Sequence, residues 1–83
     1  MARYYFHVQD GRTTLDDEGM DFPTLDAVRA AAVAYSGELL REGADAALFT
    51  GHSWRLWVTD EPEGKGKTVC DLHFSASHSA GKP

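Results

Sequence analysis

Cysteine is nearly absent from this chain: Cys70 is the single one, so no internal disulfide can form. The natural expectation is a reducing compartment. Positive charge is scarce as well. Eight Lys and Arg stand against thirteen Asp and Glu, a formal net charge of −5, which argues against non-specific binding to nucleic acid or anionic membrane, since both are polyanions. Long apolar runs are missing too: the longest stretch of the helical segment without a charge or Gly, residues 30–36, is far too short to cross a bilayer. Met1-Ala2-Arg3 leads straight into alternating aromatics rather than into an apolar segment with a small-residue cleavage site, so no secretory leader is read. These absences together predict a soluble, cytoplasmic protein without membrane or nucleic-acid partners.

Catalytic signatures are equally scarce. The serines lie in no G-x-S-x-G elbow. Gly64-Lys65-Gly66-Lys67-Thr68 resembles a phosphate loop only in composition, because no buried strand precedes it and no helix follows. Cys70 and His73 have a C-x-x-H spacing, but residues three apart on a strand point to opposite faces, and no second pair completes a zinc set. Asp10, Asp16, Asp17, Glu18, Asp21 and Asp26 crowd the first third without a calcium-loop pattern, so turn formation and helix capping account for them. No catalytic, cofactor-binding or metal residue is therefore assigned, no cofactor is expected, and the protein is not expected to be an enzyme.

Eighty-three residues make one domain with a small core. The chain opens on Arg3-Tyr4-Tyr5-Phe6-His7-Val8, an alternating aromatic strand that turns at Asp10-Gly11 and returns through 12–15. A second turn at 16–19 follows, and Met20-Asp21-Phe22 can add a few extended residues before Pro23. Thr24 reads as a helix N-cap with Asp26 in the first turn. Leu25, Val28, Ala32, Tyr35 and Leu39 form its apolar stripe, and Gly43 its C-cap. A connection at 44–51 carries an apolar pair, Leu48-Phe49. Residues 53–59 and 67–74 are two further strands around a Pro/Gly-rich hairpin loop, and 75–83 form a disordered C-terminal tail.

The prediction is thus an α+β, two-layer domain over residues 3–74, a single helix on a four-stranded antiparallel sheet in ββαββ order. A right-handed connection arranges the strands 2-1-3-4. The RYYFH opening strand, the Asp10-Gly11 turn, Asp16 to Gly19, Leu25 with Ala27 and Ala31, and Val58-Thr59-Asp60-Glu61 followed by Gly64 resemble a family of short uncharacterised bacterial proteins, a domain of unknown function. Its members open on an RYFFH-like strand and carry a VTDE-G hairpin near the end. That resemblance spans residues 3–74 and implies a single small domain with no assigned activity. The Pro62-Glu63 insertion and the long 44–51 connection depart from the family pattern.

One helix covers one face of such a sheet. With Tyr4, Phe6, Val8, Trp54, Leu56, Val58, Thr68, Cys70, Leu72 and Phe74 beneath it, Tyr5, His7, Arg55, Trp57, Val69, Asp71 and His73 face outward. Wet sheet faces usually carry Thr, Lys, Glu and Ser; aromatics with Arg are what contact surfaces show. Tyr5, His7, Arg55, Trp57, Asp71 and His73 are therefore the candidate interaction surface, with Trp57 as its marker. The favoured function is a small non-catalytic protein-interaction module that binds a protein partner or itself as a homodimer. A hairpin, an acidic turn and a helix opening on Leu25 also resemble antitoxin-like regulatory domains with a partial ribonuclease-H fold, which bind a toxin partner. Third comes a small metal- or His-dependent enzyme using His7, Asp71 and His73, and last an RNA binder stacking bases on Tyr4, Tyr5, Phe6 and Trp57.

Overall fold

The computed structural model describes residues 2–44 and 53–76. Within these residues five strands and one α-helix follow one another as β1 (Ala2–Gln9), β2 (Thr13–Thr14), β3 (Met20–Phe22), α1 (Leu25–Leu39), β4 (Trp54–Thr59) and β5 (Thr68–Phe74). All strand pairs are antiparallel, in the order β2-β1-β4-β5, with β3 paired to the start of β1. That is the predicted 2-1-3-4 order plus one short extra strand at residues already expected to be extended. The fold is α+β, one helix packed on an antiparallel sheet.

The returning chain beside β1 is in two pieces, and its interruption shapes the molecule. Thr14 pairs with Val8 and Met20 with Tyr4. Residues 15–19 therefore stand opposite only Tyr5, Phe6 and His7, and the surplus forms a pronounced bulge. Asp16 stabilises it from within. Its Oδ1 accepts the N–H groups of Glu18 and Gly19 at 3.0 and 3.2 Å, closing the turn. Its Oδ2 accepts the Phe6 N–H at 3.1 Å, in place of the ladder carbonyl that the bulge removes.

Helix α1 begins as the sequence dictates: the Thr24 hydroxyl oxygen accepts the Ala27 N–H at 3.1 Å. The stripe it buries is shifted from the expected one. Val28, Ala32 and Ser36 are buried, while Leu25 and Tyr35 stay more than two-fifths exposed. This i, i+4, i+8 row of small side chains brings the helix axis close to the sheet. The α-helical pattern stops at Leu39 and widens into a π turn, Leu40–Ala44, so Gly43 lies inside that turn and is not the C-cap. Val8, Val28, Ala32, Trp54, Leu56 and Val58 form the core, flanked by Tyr4, Phe6, Phe22, Cys70, Leu72 and Phe74.

A second bulge corrects the face assignment of β5. Val58 pairs with Cys70, but Thr59 pairs with Thr68, one step on β4 against two on β5. Val69 is the extra residue. It packs against the core instead of facing outward, and Thr68 moves to the face opposite Cys70. The Leu48-Phe49 pair and all of the expected tail beyond residue 76 lie outside the described residues. No helix among the described residues is long and apolar enough to cross a membrane.

Candidate functional site

On the sheet face away from α1, the register sets His7 opposite Trp57, Trp57 opposite Asp71, and Arg55 opposite His73, with Tyr5 opposite Thr59. Tyr5, His7, Arg55, Trp57, Asp71 and His73 therefore share one face, as their alternation predicts. Their exposure does not follow the prediction. His7 is 0% exposed and Trp57 8%. Two turns meet at His7, the bulge beside β1 and the 3-10 turn Pro62–Gly64 in the β4–β5 hairpin, while the Trp57 ring is flanked by His7 at 5.2 Å and Arg55 at 4.2 Å. The turns are joined by the Glu63 N–H, which donates to the Asp16 carbonyl at 2.9 Å. Period-two alternation reports the face of a side chain but not what folds over it.

His7 is a structural junction beneath this cover. The Asp16 N–H donates to its Nδ1 at 3.0 Å. An amide N–H can only donate, so Nδ1 accepts and the ring proton sits on Nε2. Nε2–H then donates to the Thr59 hydroxyl at 2.7 Å, and that hydroxyl donates to the Glu61 carbonyl at 2.6 Å. The chain of bonds runs one way and requires a neutral imidazole. Burial lowers the His7 pKa, outweighing the pull of the Asp16 charge. Burial pushes the Asp16 carboxyl up, but the N–H groups of Glu18, Phe6 and Gly19, with His7, together hold it below its ordinary value.

Beyond Trp57 the face is charged. The Arg55 guanidinium stacks over the Trp57 ring at 4.2 Å and grips Asp71 with two bonds, Nε to Oδ1 at 2.9 Å and Nη2 to Oδ2 at 2.8 Å. His73 Nε2 lies 3.1 Å from the same Oδ1. Hydrogen bonding by Arg55 holds the Asp71 carboxyl below its ordinary value. The trio of His7, Asp71 and His73 is not brought together, because β4 separates β1 from β5. Among the described residues no three His, Cys, Asp or Glu side chains gather as a metal-binding group.

A different feature opens on the helix side. An apolar groove of about 580 Å³ runs between α1 and the β1 bulge. Phe6, Val8 and Phe22 line it beside Ala31, Ala34 and Tyr35 of α1, with Leu15 and Met20 from the bulge region. Its aromatic residues contact one another, Phe6 against Phe22 at 5.7 Å and edge-on to Tyr35 at 6.4 Å. Leu15 is 45% exposed, Met20 61% and Tyr35 41%. Sequence reasoning passed over this site. Its only signal was two large apolar residues, Leu15 and Met20, bracketing an acidic turn that has no local use for them.

No curated protein and no solved structure matches the chain. A family model does, over residues 3–75: it is described as a domain of unknown function, DUF6894, and the chain belongs to that family.

Proposed function

We propose that this protein is a small non-catalytic interaction module that receives a polypeptide partner in the groove between α1 and the β1 bulge. The observation behind this reading is the exposure of Leu15, Met20 and Tyr35 around an open apolar groove. Clustered exposed apolar side chains of this kind mark contact sites. Met adapts its shape to a partner, and Tyr is enriched among residues that dominate binding. A small molecule lodged in the groove would leave the outer parts of these three side chains in water, whereas a polypeptide laid along it would cover them. The face of Arg55, Trp57, Asp71 and His73 is the weaker candidate, since its aromatic ring is already covered and its charges are already paired.

Co-purification from the native host with mass spectrometry tests this, run in parallel on the wild type, Met20→Asp and Arg55→Ala. The expected result is a protein recovered with the wild type and Arg55→Ala but lost with Met20→Asp. Recovery that survives Met20→Asp and fails with Arg55→Ala returns the function to the sheet face.

A further inference from the structure

We infer that the partner segment is cationic and amphipathic: apolar side chains enter the groove while Lys or Arg groups lie along its edges against Asp17 and Glu38. This rests on the groove reading above and goes further by naming the partner's chemistry. Among the described residues, the charged side chains lining the groove are Asp16, Asp17 and Glu38, with no Lys, Arg or His. Asp16 is committed to the bulge, with both carboxylate oxygens accepting backbone N–H groups. Asp17 and Glu38 are exposed and stand on opposite walls, one on the bulge and one on α1.

Their place at the groove sets these two acids apart. Like most acids of the described residues, Asp17 and Glu38 form no ion pair there, whereas Asp21, Asp26 and Asp71 are held by Arg3, Arg29 and Arg55. An apolar groove flanked by two unpaired carboxylates complements a basic amphipathic segment. It repels a second copy of this chain, which would bring the same acids face to face on molecules each carrying −5. Acidic peptides and nucleic acids are repelled for the same reason.

The test is an NMR titration of the isotope-labelled full chain with a Leu/Lys peptide of about 14 residues in helical period, and with its Lys→Gln and Lys→Glu counterparts. The Lys peptide is expected to shift backbone amides of residues 14–22 and 31–38, and to bind more weakly as salt rises from about 20 to about 150 mM. Asp17→Asn with Glu38→Gln should weaken it about five- to tenfold. Asp26→Asn with Glu61→Gln makes the same change in net charge away from the groove and should weaken it less than about twofold. Equal weakening by the two pairs shows attraction to net charge alone and overturns the inference.

If the Gln peptide binds the same amides as tightly as the Lys peptide, the inference falls while the groove reading stands. If no peptide shifts those amides, both fall. Sedimentation showing a dimer that Met20→Asp dissolves makes a second copy the occupant and also overturns the inference.

Discussion

Asp16→Asn is isosteric and looks mild, yet the structure makes it severe. The wild-type carboxylate uses both oxygens as acceptors, Oδ2 for Phe6 and Oδ1 for Glu18 and Gly19. An amide has one acceptor oxygen and one NH2 donor. In one orientation the NH2 confronts the Phe6 N–H and leaves a part-buried strand amide without an acceptor. In the other, the two turn amides lose theirs and the bulge loosens. Hydrogen bonds to charged groups contribute about 1.5–3 kcal/mol each, and an orphaned buried donor costs about 1–3 kcal/mol. Some of the loss is offset because the Glu18 amide is exposed and can bind water. The net expectation is a loss of about 2–4 kcal/mol, out of about 4–12 kcal/mol for a domain of 83 residues. At about 4–8 °C per kcal/mol, the thermal midpoint falls by about 8–32 °C. Thermal unfolding followed by circular dichroism at neutral pH measures this, with Asp17→Asn as the control that makes no such bonds and moves the midpoint by no more than a few degrees. An Asp16→Asn midpoint within about 3 °C of wild type refutes the claim that this carboxylate organises the bulge.

Stability should fall on acidification in two windows. The folded His7 pKa lies below its unfolded value of about 6.5, so the unfolded chain binds the proton first and stability declines as pH drops below about 6.5. Asp16, also depressed, contributes above its unfolded value of about 3.9, and this is lost as pH falls through its lower folded value. Urea midpoints between pH 7.5 and 5 check the first window, and His7→Gln should flatten it; an unchanged slope in that variant would assign the effect to another group. Trp54→Ala and Trp57→Ala should each cost about 3–5 kcal/mol, because both rings are buried, one edge-on to Phe74 and the other between His7 and Arg55. A Trp57→Ala protein as stable as wild type contradicts the cover over that face. Two glycines should respond with opposite sign. Gly19→Ala places a Cβ against the Tyr5 ring at a φ of 71° and should lose about 1–3 kcal/mol, while Gly37→Ala, in the last turn of α1 with open space beside it, should gain about 0.5–1 kcal/mol, both readable from denaturant curves.

The elements and their order were legible because they rest on local rules. Alternation in Tyr4-Tyr5-Phe6-His7-Val8 specifies a strand, Asp10-Gly11 a hairpin turn with Gly11 at a φ of 102°, and Thr24 a cap. Antiparallel hairpins on either side of one helix leave few ways to assemble a sheet, so the 2-1-3-4 order followed. The common face of Tyr5, His7, Arg55, Trp57, Asp71 and His73 was likewise a matter of strand period.

What lies over each face was decided only by tertiary structure. Covering His7 needs residues 15–19 and 62–64 to meet, and they are joined by a bond from Glu63 to Asp16, far apart in sequence. Asp16 reads as an ordinary turn acid until the bulge brings its second oxygen to Phe6. Val69 alternates with its neighbours in sequence and leaves that pattern only because β5 must match β4 across a bulge. The groove is a product of the same economy. The bulge that supplies the cover for His7 on one face sets Leu15 and Met20 beside α1 on the other, and no periodicity within a single segment encodes an opening between two. The strands, the helix and the faces of β1 and β4 follow from neighbours along the chain and are written in its local pattern. Burial of His7 and Trp57, the paired charges on Arg55 and the open groove depend on contacts between distant segments, which exist only once the chain has folded.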